Sequence, residues 1–164
     1  MLEIIGFIHV ILCSIISLYW LWSSKAFDIF YIFYFLSLNL SWVIMNNECF
    51  ITYFFKVLKD PNYKMGQNNE VKDFEPILGK TGSVLFNQYL LTMNVINLFL
   101  ILTRSFDSFR KIAIALFILS YTFYIEANHF SFINKDSRKK IYISHGIISF
   151  FVLAYFVNSW LKSR

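Results

Sequence analysis

Five side chains of types that bind metals or move protons lie within or at the ends of otherwise apolar stretches: His9, Glu48, Glu126, His129 and His145. Glu126 and His129, in IEANHF, are three positions apart, so a helix presents them on one side. Glu-x-x-His is the spacing of di-iron carboxylate bundles, which also need a second such pair and bridging carboxylates from other helices. Here Glu48 is the further carboxylate available and no second pair exists, which argues against a di-iron centre. A mononuclear metal asks for less: His9, His129 and His145 with Glu126 or Glu48 would suffice if their helices converge. Two of the three His could instead ligate a haem, and Glu126, His129 and a neighbouring His could relay protons. No signature singles out a metal or a haem, so the cofactor stays open.

The elements that must hold these residues are transmembrane. The chain has 164 residues, 57% of them hydrophobic and 20 of them Phe, with a mean hydropathy of +0.55. Such a balance belongs to a multi-pass integral membrane protein. Runs of about 20 apolar residues, enough for a hydrocarbon core roughly 30 Å thick, account for most of it. We read an all-α bundle forming one domain, residues 1–164, with five spans near 4–22, 27–49, 84–103, 112–130 and 141–161. The run MLEIIGFIHVILC has neither a basic leading segment nor a small-residue cleavage site, so it is expected to stay as the first span. Cys13 and Cys49 lie in or beside apolar runs, which suggests neither a disulfide scaffold nor a zinc ribbon. The abundance of Phe, Ile, Asn, Lys and Tyr fits an AT-rich genome: organellar, viral or low-GC microbial.

The formal charge of +5 sits almost wholly in the connections, where topology explains it better than a nucleic-acid partner does. Between spans two and three, residues 56–83 read as a long polar loop with DPN and GQNN turns. The N-terminus, this loop and the fourth connection share one side of the membrane. That side carries Lys56, Lys59, Lys64, Lys72, Lys80, Lys135, Arg138, Lys139 and Lys140 of the 15 Lys and Arg, which favours it as the cytoplasmic or matrix-like side.

Each span also carries polar residues at helical intervals: His9, Cys13 and Ser17; Ser37, Ser41, Glu48 and Thr52; Asn87, Asn94 and Asn97; Thr122, Glu126 and His129; His145 and Ser149. One side of each helix thus prefers protein to lipid. Chain direction puts His9, Glu48, Asn87, Glu126, His129 and His145 in the same half of the membrane, with His9 deepest, about 6 Å from the midplane. A group of intramembrane ionisable residues marks a candidate site. Against that stands the structural reading, in which they hydrogen-bond between helices or reach water at helix ends.

Gly79-Lys80-Thr81-Gly82-Ser83 resembles the end of a phosphate-binding loop, but Phe74 stands where the leading Gly belongs. A turn with Thr81 or Ser83 capping the third span is the better reading. Ser, His and Asp form no recognisable hydrolase motif. Arg138-Lys139-Lys140 is a juxtamembrane cluster suited to anionic lipid headgroups.

His9 in the first span and Trp42, Cys49 and Thr52 at the end of the second resemble a family of small bacterial membrane proteins of uncharacterised function. Those proteins have a first-helix His and a second helix ending in a Cys-Pro-Leu-Thr type motif after a Trp. Phe50 replaces the Pro, and the acidic residue usual after the motif is missing near Phe54. The resemblance covers about the first half of the chain and implies no activity.

The sequence thus predicts a structural or accessory subunit without its own enzyme activity, partnered by lipid and by other membrane subunits or copies of itself. The alternatives are a metal or haem binder with redox or lipid-modifying activity, a proton or ion pathway through the His and Glu residues, and an oligomeric channel lined by Asn87, Asn94 and Asn97.

Overall fold

The computed structural model describes residues 2–68, 70–104, 108–129 and 133–162, the side chains of Asn128, His129 and Lys135 excepted. Among the described residues every regular element is helical: α1 (Leu2–Ser17), α2 (Tyr19–Trp22), α3 (Lys25–Ile44), α4 (Phe50–Lys59), α5 (Glu75–Arg104), α6 (Ser108–His129) and α7 (Lys135–Lys162). A 3-10 turn at Lys72–Phe74 leads into α5. Four helical stretches are long and apolar enough to cross a membrane: Lys25–Ile44, Lys72–Arg104, Ser108–Ala127 and Asp136–Lys162. By backbone contacts the chain divides into two units, Met1–Trp22 with Ser41–Asn94, and Ser23–Leu40 with Val95–Arg164.

In the first unit, α1 packs against the 3-10 turn and α4, and these two pack against each other. The Ser14 and Ser17 hydroxyls turn back to the carbonyls of Val10 and Ser14, at 2.7 and 2.9 Å, a local competition with the helical ladder. The helix breaks at Leu18, which divides the expected span 4–22 into α1 and the single turn of α2.

The expected span 27–49 stops at Ile44. Asn46 and Asn47 have φ of 53° and 65°, the left-handed region that Asn tolerates better than most residues, and the Asn47 amide donates to the Trp42 carbonyl at 2.6 Å. Glu48 and Cys49 therefore belong to the approach to a separate helix, α4. The expected loop 56–83 shrinks in the same way, because α4 runs to Lys59 and α5 begins at Glu75. Gly79, at φ 69° and ψ 171°, interrupts α5. The helix resumes immediately after it, so neither Thr81 nor Ser83 is the cap; the Ser83 hydroxyl donates to the Val71 carbonyl at 3.0 Å.

A close approach sets the geometry of this unit. A Cβ on Gly6 would lie 2.2 Å from the Asp73 carbonyl oxygen, so only glycine lets the 3-10 turn settle on α1.

The second unit is built from the rest of α3 and α5 with α6 and α7. Apolar surface gains little from leaving lipid, so shape and hydrogen bonds must hold these helices together. Phe35 meets Phe117 and Tyr121 edge-on at 5.8 and 5.1 Å, contacts of about 0.5–1.5 kcal/mol each beyond area burial. Arg104, in the last turn of α5, donates to Asp28 in the first turn of α3 at 2.6 Å and to Ser23 at 3.0 Å. Each charge stands at the helix end that its sign favours.

The polar stripes fare unevenly. His9, Ser17, Asn94, Asn97, His145 and Ser149 are buried, as expected. Ser37, Thr122 and Glu126 are exposed. On α6 the buried line is Ile114, Phe117, Tyr121, Tyr124 and Ala127, so Thr122 and Glu126 each lie one residue, about 100° of helix, away from it.

A candidate Cys-His-Asp site

His9 is buried on the inner side of α1, three residues after Gly6, and the approach allowed by Gly6 brings Asp73 to it. The His9 Nδ1 is hydrogen-bonded to Asp73 Oδ2. Asp73 is fully buried, and its other oxygen accepts from the Thr52 hydroxyl of α4 at 2.7 Å. Phe74 covers the imidazole at a ring-centroid distance of 4.9 Å. The remaining nitrogen, Nε2, lies 3.6 Å from the Cys49 sulfur. With a carboxylate accepting at Nδ1, that nitrogen carries a proton, and Nε2 and the thiol share the next one.

Cys49 is half-buried and takes the N-cap position of α4, with extended backbone at φ −71° and ψ 137°. The orphan N–H groups of the first turn of α4 gather there, with the positive end of the helix dipole. Cys49 lies outside the four long helices. Burial raises its thiol most, but the hydrogen bond and positive charge of His9 and the Thr52 and Ile51 amides together outweigh this and leave it below its ordinary range. Thiol, imidazole and carboxylate thus stand in the order in which a weak nucleophile, its base and the residue orienting that base are arranged where such nucleophiles are activated.

No protein family, curated protein or solved structure matches this chain.

A second polar network adjoins the first along the chain. Glu48, 2% exposed, accepts Lys56 at 2.6 Å on Oε1 and the Gly66 amide at 3.0 Å on Oε2. The Tyr63 hydroxyl lies 2.9 Å from Glu48 Oε1 and 2.8 Å from the Asn68 carbonyl, two acceptors for its one proton. Lys56 also reaches the Asn68 carbonyl and, at 3.2 Å, Tyr63, so its three donors are used. Glu48 is thus a structural tie that folds residues 60–68 over the start of α4. A cavity of about 340 Å³ lies beside it, lined by Phe55, Lys56, Lys59, Tyr63 and Lys72 among others.

His145 belongs to the second unit and has a different setting. Its Nε2 is 3.1 Å from Asn39 Oδ1. The Asn39 amide nitrogen donates to the Phe35 carbonyl at 2.8 Å, which fixes its oxygen as the acceptor and makes Nε2 the donor. On the other side Ser120 Oγ lies 3.1 Å from Nδ1 and 3.0 Å from the Phe117 carbonyl. Tyr124 stacks on the ring at 4.8 Å and Phe117 at 5.7 Å.

The expected cluster is therefore distributed. His9 and Glu48 belong to the first unit, where each has its own network, and His145 to the second. Glu126 is exposed, Asn87 is half-buried, and the His129 side chain lies outside the described residues. Both nitrogens of His9 and of His145 are engaged by protein groups, and among the described residues no three His, Cys, Asp or Glu are placed to hold a metal. Spacing for metals and hydrolase motifs points neither to Asp73, which lies within the expected loop, nor to Cys49 as a partner of His9. His9, Cys49 and Thr52 come together here: Asp73 bonds His9 and Thr52, and Cys49 lies against His9.

Proposed function

We propose that the protein is an acyl-transfer enzyme of the membrane, with Cys49 as nucleophile, His9 as general base and Asp73 as the residue that positions His9. One observation carries this reading: a single imidazole uses one nitrogen for a buried carboxylate and the other for a thiol. As the sulfur attacks the carbonyl carbon of an acyl ester, its proton passes to His9 Nε2. The oxyanion forms at the N-terminus of α4, where backbone N–H groups favour negative charge. Collapse expels the alcohol, which takes the proton back from the imidazolium and leaves a thioester on Cys49. Water or a second alcohol or amine then attacks, activated by the same base, and restores the thiol. Asp73 holds Nδ1–H and stabilises the imidazolium, while Thr52 holds Asp73.

Purified protein incubated with an activated acyl ester should gain one acyl group on Cys49, detected by mass spectrometry and released by hydroxylamine. Cys49→Ala should take up none, and His9→Gln should be slower by about 10³-fold or more. Equal labelling of Cys13 and Cys49, unaffected by His9→Gln, would show only a general thiol reactivity and defeat the reading.

A second reading, an accessory subunit of a larger membrane assembly, is favoured by the many large apolar side chains left exposed on α1, α6 and α7. Co-purification of defined partners in mild detergent supports it. Migration as a lone monomer speaks against it. In either case a fifth span formed by α1, and headgroup contacts of the exposed Lys139 and Lys140 beside Arg138, are part of the proposal.

A further inference from the structure

We infer that the acyl donor is a long-chain lipid ester that reaches Cys49 sideways from the bilayer, a deduction that rests on the acyl-transfer reading above. The reason is the polarity of α4. An amphipathic helix on a water-soluble protein turns its apolar side inward. Here Thr52 and Lys56 are buried together with Phe55, while Phe50 and Phe54 are 63% and 48% exposed and Leu58 is exposed beside them. Such a surface is stable where the outer side meets hydrocarbon and the inner side can satisfy its polar groups within the protein.

Helix α1, packed against α4, repeats the arrangement: His9 faces inward, and Phe7 and Ile8 are exposed. The half-buried Cys49 is immediately followed by the exposed Phe50 and lies within reach of His9, so the nucleophile stands at the edge of an outward apolar surface supplied by two helices. Cys49 also follows the turn that ends α3, a helix long and apolar enough to cross the membrane. The end of a membrane-crossing helix lies toward the interface, where lipid ester carbonyls are found. An acyl chain lying along Phe50 and Phe54 in the hydrocarbon can bring its carbonyl carbon to the sulfur while its polar part stays at the interface. A short, water-borne ester gains nothing from these side chains.

The test compares 4-nitrophenyl acetate and 4-nitrophenyl palmitate on the full chain in phosphatidylcholine nanodiscs, following the acyl group on Cys49 by mass spectrometry. Palmitoylation of Cys49 should be at least tenfold faster than acetylation. Phe54→Asn, a change at an exposed position, should lower the palmitate rate at least fivefold relative to the acetate rate. Acetate equal to or faster than palmitate would overturn the lipid inference while leaving Cys49 as a nucleophile. Acylation by neither ester would overturn the acyl-transfer reading itself. A Phe54→Asn variant that slows both esters equally would also overturn the inference, since Phe54 would then act on the site and not on the chain.

Discussion

His9 and His145 are both buried, both on helices, and both engaged at both ring nitrogens, yet their surroundings suit different work. His9 lies between a carboxylate and a half-buried thiol at a break between helices. His145 lies between an amide and a hydroxyl, stacked on aromatic rings, and is 1% exposed. The first setting favours a positive charge on the ring and places a half-buried thiol beside it. The second offers neutral hydrogen bonds and no access. A buried histidine is therefore made chemical by an anion on one side and an approach on the other. Burial and hydrogen bonding alone make it a fastener between helices.

Removing the anion is the most severe way to erase the difference. Asp73→Asn should cut thioester formation at Cys49 by about 10³- to 10⁴-fold, because the amide can hold the wrong imidazole tautomer and cannot stabilise an imidazolium. Asp73→Glu should recover part of the rate. A loss that tracks only the amount of folded protein, with no recovery in the Glu variant, would reduce Asp73 to a structural residue.

Next comes the tie beside the site. Glu48→Gln should lower stability by about 3 kcal/mol, measured by thermal unfolding in detergent, because Lys56 is left as a buried charge without its counterion. Adding Lys56→Met should return much of it. Gly6→Ala should cost about 2 kcal/mol through overpacking, and it should also slow thioester formation, since the new methyl displaces the turn that carries Asp73.

On the other side of the comparison, Ser120→Ala should cost about 1 kcal/mol of stability and leave acylation of Cys49 unaltered. Any change in acylation would mean that the two histidines are not separate in function. The smallest effect belongs to Glu126→Gln, within about 0.5 kcal/mol, as expected for an exposed side chain.

How much of this was legible depended on periodicity. The inward placing of His9, Asn97, His145 and Ser149 followed from helical spacing within long apolar runs, and so did the helical character of the chain. Asn39 was passed over because Ser37 and Ser41 suggested a face; packing chose the line of Tyr31, Phe35 and Asn39 instead. Glu126 misled for a related reason, since a polar stripe and the buried aromatic stripe of α6 differ by one position and spacing alone does not rank them. Asp73 was beyond reach. It lies in a 3-10 turn with no periodicity to read, and its partner is 64 residues away. What brings it to His9 is the missing side chain of Gly6, and a glycine within an apolar helix announces no particular neighbour.

That 64-residue separation gives the site a history in time. During synthesis the chain delivers the base first and the thiol forty residues later, and the carboxylate arrives last. A nascent chain inserted only as far as α4 can bring Cys49 to His9 but cannot hold the imidazole or balance its charge. On the proposed mechanism the thiol then lacks a positioned base while the later helices are still being made. That base is fixed, on the same mechanism, only when the turn at residues 72–74 settles onto Gly6.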